Sequence, residues 1–414
     1  MRSVKNLVIG GGVSGFAFAQ RLNQLGEDDV LLIEKSGVIG GKAQTIKRRG
    51  FTFDIGGHWL HCQDNEWFAE EFDLKPGKRQ AWIRMDGKMI PYPIQNHLDE
   101  LRNTELIKKQ LESNDSAAFP EPQNYREMLV QRYGPELCKQ FFFPYNTKLF
   151  GRKLSTVPIA DELIFKRNVQ VGSSGYNADF YYPETGGIQQ IVEQMTENVF
   201  YQTRHNLTFV DIENKVATVE PRTGNLRDRP EQIQYDHLIS TIPLRNFTSL
   251  SNLDVILNPP HSSLWLWLLG VKHKPSHDNK TWVYVPNTEF TTFRYGFFNN
   301  VRPDMAPEGY SSVYVEIDGS KQFNREDAVL ELVKLGVIDS IHDIEINLSR
   351  YIHVNYPLKS EFVDDVVKYL ATKDVITIGR YGEWRWSSIH EDIMDARAKA
   401  TKLYRDQYQL TEVE

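Results

Sequence analysis

A short apolar run, Leu7-Val8-Ile9, passes directly into Gly10-Gly11-Gly12-Val13-Ser14-Gly15, and this junction constrains the fold more than any other stretch. The run is apolar at every position, as in a strand buried on both faces of a parallel sheet. The glycines fall as G-x-G-x-x-G at Gly10, Gly12 and Gly15. Apolar residues then recur at Phe16, Ala19, Leu22 and Leu25 with a helical period. A second apolar run, Val30-Leu31-Leu32-Ile33, ends at Glu34. That order, within about 30 residues, predicts a Rossmann-type βαβ unit that binds a dinucleotide. Gly10 permits the tight turn, Gly12 lets backbone approach a pyrophosphate, and Gly15 lets helix and strand pack closely. The pyrophosphate meets the positive helix N-terminus, and the Glu34 carboxylate accepts hydrogen bonds from ribose hydroxyls.

The rest of the chain bounds what surrounds that unit. Its 414 residues suggest roughly two or three domains of about 150 residues. The net charge of −7 and the absence of a sustained Lys/Arg run argue against a nucleic-acid partner. Cys62 and Cys138 sit in no metal or disulfide spacing, and read as free thiols in a reducing cytosol. The apolar stretch after Arg2 and Lys5 is broken by glycines rather than ending in a cleavage site. The longest apolar run, Leu264–Val271, is far short of the ~20 residues of a membrane span. A cytoplasmic protein acting on a small molecule is expected, and nothing sets an oligomeric state. His58 and His61 have no third ligand in view, so no metal is expected.

Two further motifs choose between dinucleotides. Gly40-Gly41-Lys42-Ala43-Gln44-Thr45 and Phe53-Asp54-Ile55-Gly56-Gly57-His58 resemble the GG-(R/K)-x-x-T and D-x-G-G-H segments of the amine-oxidase and protoporphyrinogen-oxidase-like FAD superfamily. The resemblance implies FAD, with the second motif passing the flavin ring. It also implies cofactor contacts from Lys35, Val210, Gly379, Arg380 and Ile389. The strand Val375–Ile378 runs into Gly379-Arg380-Tyr381-Gly382, and the helix opening near Ser388–Asp392 is expected to give a second phosphate site.

The fold expected is α/β: a discontinuous Rossmann-type FAD-binding domain, a helical insertion and a second, antiparallel β-sheet substrate domain. The FAD domain takes residues 1–90, 183–250 and 351–414, the mainly helical segment 91–182, and the sheet domain 251–350. Strands are expected at Leu264–Val271, Thr281–Val285, Phe293–Phe298 and Ser311–Ile317, and a hairpin at Leu207–Val210 and Lys215–Val219.

The middle of the chain is similar to UDP-galactopyranose mutases, particularly their eukaryotic-type branch. The resemblance rests on an ordered series: Ile90-Pro91-Tyr92-Pro93-Ile94-Gln95-Asn96, Pro144-Tyr145-Asn146-Thr147-Lys148, Asn177–Pro183, Trp282-Val283-Tyr284-Val285-Pro286, Phe293-Arg294, Phe298-Asn299-Asn300 and Tyr356-Pro357. It implies a reduced flavin whose N5 attacks the anomeric carbon of a nucleotide sugar and displaces the diphosphate, without net redox. NAD(P)H is one candidate reductant. The implied substrate contacts are Tyr92, Gln95, Asn146, Phe150, Asn177, Tyr284, Arg294, Tyr356 and Trp386. Arg294 matches one of two arginines that hold the diphosphate. The other family position falls near Phe165, where Arg167 is the nearest arginine. His58 matches the histidine of the flavin-facing loop, whereas His61, Phe150 and Trp386 stand where the mutases usually carry Phe, Trp and Tyr. An oxidoreductase of the same superfamily, acting on an amine, sugar or cyclic substrate, is the alternative.

Overall fold

The computed structural model describes residues 1–62, 66–113, 120–159, 172–175, 178–225, 228–358 and 360–409. Arg167 and Asn177 lie outside them. The βαβ unit forms as expected. Strand β1 (Arg2–Ile9) is central in the first sheet, paired in parallel with β2 (Val30–Ile33) and β12 (Glu231–Ser240). The helix Val13–Gln24 between them buries Phe16, Ala17, Phe18, Ala19 and Leu22. Strand β9 (Tyr201–Gln202) extends the sheet beyond β2, and the hairpin β10 (His205–Asp211) and β11 (Val216–Pro221) extends it beyond β12. The ten-residue β12 serves two partners in succession. Its first half pairs antiparallel with β11, and its last residues pair in parallel with β18 (Val375–Thr377). The carboxyl-terminal strand is thereby brought beside the first strand's partner.

The second sheet runs β17 (Ile344–Ile352), β13 (Leu264–Lys272), β16 (Tyr310–Asp318), β15 (Thr292–Phe297), β14 (Trp282–Tyr284), β6 (Ala81–Met85) and β7 (Lys88–Pro91). Four of these match the strands read from the sequence. Two features differ. Residues 81–91, which straddle the division expected at residue 90, hydrogen-bond into this sheet, with β6 parallel to β14. Strand β17 and the helix Arg325–Lys334 also stand in the segment. Small sheets of β3 (Thr45–Arg48) with β4 (Phe51–Asp54), and of β5 (Leu74–Lys78) with β8 (Asp179–Pro183), complete the pairings.

The intervening segment is helical as expected, but not as one rod. The helix Tyr125–Leu137 kinks at Gly134-Pro135, passes through a π turn at Cys138–Phe142, and continues as Phe143–Phe150. The π turn takes up the register that Pro144, lacking an N–H, cannot continue. Among the described residues no helix is long and apolar enough to cross a membrane. Cys62 and Cys138 are both buried, and burial pushes their thiols up to about 11 and about 12.

A buried histidine on the short turn Pro275–His277 packs on the second sheet, with a thermodynamic consequence. His277 stacks on Phe297 with ring centres 4.7 Å apart, and its Nε2–H donates to Val337 O at 2.8 Å. Burial holds it down at about 4, against about 6.5 in an unfolded chain. Between those values the unfolded chain binds a proton the fold rejects, so stability falls as pH drops through the window. At pH 5 the deficit is about 2 kcal/mol relative to neutral pH. Denaturant melts at pH 7 and pH 5 should show His277→Gln losing that much less than the parent; equal losses would remove His277 as the cause.

Candidate active site

Glycines from three segments build one end of the site. The Gly40 N–H donates to Gly11 O at 2.7 Å, and Gly12 and Gly40 form a parallel bridge. Gly10 has φ +106°, and a Cβ there would meet Thr241 Oγ1 at 2.2 Å. A Cβ on Gly15 would meet Gly10 O at 2.1 Å, and one on Gly379 would meet Ser14 Oγ at 2.3 Å. These glycines are required by packing. Gly12 is not, since its nearest neighbours would be Gly41 Cα at 3.9 Å and Gly40 O at 4.0 Å. The helix Val13–Gln24 starts at this spot, with no capping side chain and no acid in its first turn. Its positive end is answered by no acid of the helix itself. The buried Glu34 carboxylate accepts from Gly11 N at 2.9 Å and Ser36 N at 2.8 Å, leaving each oxygen a lone pair for a hydroxyl. Lys35 beside it is exposed.

At the other end, Gly56 (φ +98°) and Gly57 lead into His58. A Cβ on Gly57 would meet Tyr314 Oη at 2.8 Å. His58 Nδ1 is buried with no hydrogen-bond partner among the described residues, an orphaned polar atom of the kind a bound group satisfies. Burial, then the charges of Arg380, Arg294 and Lys42, hold His58 down at about 4, so the ring is neutral at neutral pH. The same charges place His58 among cations from the amino-terminal, middle and carboxyl-terminal parts of the chain. A site with open space at Gly12, an uncapped helix end, a fixed acid at Glu34 and an orphaned imidazole fits a flavin dinucleotide.

The substrate-side residues form two groups around His58. In the first, the Tyr284 ring lies 4.9 Å from Tyr92 and 5.1 Å from Tyr145. Tyr284 pairs with Arg294 across the β14–β15 ladder. Arg294 reaches Glu316 on the neighbouring β16, with Nε–Oε2 at 2.5 Å and Nη2–Oε1 at 2.8 Å. Burial lowers the guanidinium's pKa, and the Glu316 carboxylate, Tyr145 and Tyr314 together more than reverse that. Gln95 is buried nearby in sequence to Tyr92. In the second group, Tyr356 stacks on Trp386 at 4.6 Å, Phe150 lies 6.3 Å from Trp386, and the Arg380 guanidinium lies 5.5 Å from the Tyr356 ring. Trp386 Nε1–H donates to Pro357 O at 2.6 Å. Asn146 is held within its own helical segment, its Nδ2 donating to Phe142 O at 2.8 Å and its Oδ1 accepting from Tyr125 Oη at 3.3 Å.

Several expected cofactor residues have other engagements. The Thr45 hydroxyl donates to Asp54 Oδ1 at 2.7 Å, and its backbone N–H donates to Gln189 Oε1 at 3.0 Å. It supports the loop from behind, in a buried network with Tyr182, whose hydroxyl donates to Asp54 Oδ2. Val210 is fully buried, its N–H bonded to Leu250 O and its C=O to Asn252 N. Strand β10 meets Glu34 instead at its start, where the His205 N–H donates to Glu34 O at 2.9 Å. The helix Ile389–Tyr408, where a second phosphate site is expected, opens with a capped and acidic first turn. A capping box of Ser388 and Glu391 closes that end, and Glu391 and Asp392 fill its first turn with negative charge. Asp392 Oδ2 accepts from the Arg380 N–H at 3.2 Å, and Arg380 Nε–H donates to Ser387 O at 3.0 Å. Ile389 is half-buried just inside that capped end, and Lys42 Nζ lies 6.0 Å from the Tyr381 ring. Glu316 carries no motif of its own, and strand register alone reveals it as the partner of Arg294.

Comparisons with known proteins give the family and the fold. The profile of the flavin containing amine oxidoreductases matches residues 13–267. The 4,4'-diapophytoene desaturase (4,4'-diaponeurosporene-forming) of Staphylococcus aureus (strain MRSA252) is 43% identical over 176 residues, covering 39% of this chain and 34% of that protein. The chain thus spans about a third of the length of the curated relatives it matches. A crystal structure of reduced UDP-galactopyranose mutase superposes with a TM-score of 0.85 at 22% identity, over 97% of this chain and 95% of that one. A CLA-producing fatty acid isomerase from P. acnes gives a TM-score of 0.65 at 15% identity, over 97% and 99%. At such identities these structures share the fold. The profile covers well over half of the sequence, and the chain belongs to the flavin containing amine oxidoreductase family, within the FAD-binding amine-oxidase-like superfamily.

Proposed function

We propose that this protein is a flavin-dependent nucleotide-sugar mutase, interconverting ring forms of an NDP-sugar without net redox. The observation that carries the reading is Arg294. Its Nε–H and one Nη2–H are engaged by Glu316, and three of the five guanidinium N–H groups remain for an anion. It stands beside Tyr284, with Tyr92 and Tyr145 forming an aromatic wall. A reduced flavin, when bound, supplies a nucleophilic nitrogen for the anomeric carbon. Gly12, Gly41 and the start of the helix Val13–Gln24 hold the cofactor's pyrophosphate, and Glu34 its ribose. Neutral His58 orients the ring without adding charge. Arg294 holds the substrate diphosphate and stabilises the charge that develops as it leaves. We assign Arg167 as the second diphosphate ligand and Asn177 as a sugar contact. Gln95, Asn146, Phe150, Tyr356 and Trp386 complete the substrate wall.

The likeness of fold to reduced UDP-galactopyranose mutase supports this reading. Dithionite-reduced protein given UDP-galactopyranose and a panel of other NDP-sugars is expected to yield the furanose form of one of them. Absence of any furanose product across the panel would sink the mutase. The second reading, an oxidoreductase, is favoured by the 43% identity to a desaturase over part of the chain. Steady aerobic turnover with hydrogen peroxide release, or coupled NAD(P) reduction, on an amine, sugar or cyclic substrate would select it.

A further inference from the structure

Lys148 is a buried lysine outside the expected site, and four backbone carbonyls surround its ammonium. Val285 O lies at 2.5 Å, Asn287 O at 2.9 Å, Phe290 O at 3.2 Å and Thr292 O at 2.9 Å. All four belong to the loop between β14 and β15, or to its edge. That loop joins Tyr284 to Arg294, the two residues paired across the ladder it closes. Its amides turn the other way. Glu331, on the helix Arg325–Lys334, accepts from Thr291 N at 2.7 Å, Thr291 Oγ1 at 2.9 Å and Thr292 N at 2.9 Å. The loop is thus gripped through its carbonyls by one buried cation and through its amides by one buried anion. Lys148 also lies on the helix Phe143–Phe150, which carries Tyr145 and Asn146.

We propose that Lys148 is a positioning residue whose ammonium occupies a monovalent-cation cage of four carbonyls, fixing Tyr284 and Arg294 against Tyr145. Burial pushes the amine down to about 7, against the pull of Glu331, Asp318 and Glu289. The four oxygens favour the charged form, since a neutral amine would turn a lone pair on one of them. Removing the side chain leaves a cage that a small monovalent cation can fill. An arginine is too long and too planar for four convergent acceptors.

The test uses the full-length, FAD-loaded protein and Lys148→Ala, Lys148→Met and Lys148→Arg. Amide hydrogen exchange in peptides spanning residues 284–294 is expected to rise about tenfold or more in Lys148→Ala, from the loss of charge-assisted bonds. Methylammonium should restore protection, and tetramethylammonium, too large for the cage, should not. Lys148→Met fills the channel without charge, so it should be loose and indifferent to methylammonium. If Lys148→Ala fails to fold in plain buffer, the yield of folded protein with methylammonium against tetramethylammonium gives the same reading. Exchange unchanged from the parent, or raised equally under both amines, overturns the proposal. Titration with UDP adds a functional readout that rests on the mutase reading, with affinity expected to fall and recover alongside protection. A parent protein that binds no UDP counts against that reading alone, because the exchange and amine response still decide Lys148.

Discussion

Gly12→Ala is expected to yield a folded protein that no longer retains flavin. Gly12 has φ −92° and ψ −173°, extended backbone that alanine adopts without strain. Its added Cβ would meet no protein atom nearer than 3.9 Å. As a helix N-cap, alanine costs on the order of 0.5 kcal/mol relative to glycine, so the apoprotein Tm should move by no more than about 2 °C. The methyl would instead enter the space that a pyrophosphate needs beside the helix end. Overpacking of that kind costs about 1–3 kcal/mol, or a roughly 10- to 100-fold loss of FAD affinity. Gly15→Ala is the contrasting variant, because its Cβ would lie 2.1 Å from Gly10 O. It should lower the apoprotein Tm itself. The flavin-to-protein ratio as purified, with FAD titration of the apoproteins, checks both. A Gly12→Ala protein carrying a full complement of flavin would remove the pyrophosphate from this glycine.

The contrast between those glycines separates what the sequence made legible from what it hid. The βαβ unit was readable because everything it needs is local: a wholly apolar run, glycines at fixed offsets, a helical period and an acid at the end of the next strand. Four strands of the second sheet were readable as short runs rich in aromatic and β-branched residues, but their neighbours were not. Residues 81–91 join that sheet through a parallel pairing of β6 with β14, 201 residues away in sequence, and no local pattern encodes a partner at that distance. Glu316 faces Arg294 for the same reason of register. Val210 reads like any apolar strand residue, and its backbone partners on Leu250 and Asn252 emerge with the fold. The capped helix at Ser388 is the opposite case. Its S-x-x-E spacing is a capping-box signature, local in sequence and formed in the fold by Ser388 and Glu391.

The Arg294–Glu316 pair gives the second large effect, because the arginine side chain is 21% exposed and the glutamate 4%. Glu316→Leu leaves a mostly buried guanidinium with two N–H groups unanswered, and should cost about 3–5 kcal/mol of stability. Arg294→Leu strands the carboxylate instead and should cost a similar amount. The double replacement removes both charges and fills the space with apolar atoms, so its loss should fall well short of the sum of the singles. Diphosphate binding should divide the same variants differently. Glu316→Leu keeps the cation and frees the two donors that the carboxylate holds, so UDP should raise its Tm by more than it raises the parent's. Arg294→Leu and the double variant should show no UDP-dependent stabilisation. Denaturant melts of the four proteins, with and without UDP, supply both readings. Additive losses would mean that the two side chains are uncoupled in solution. A parent-like UDP response in Arg294→Leu would place the diphosphate elsewhere, and with it the charge on which the proposed chemistry depends.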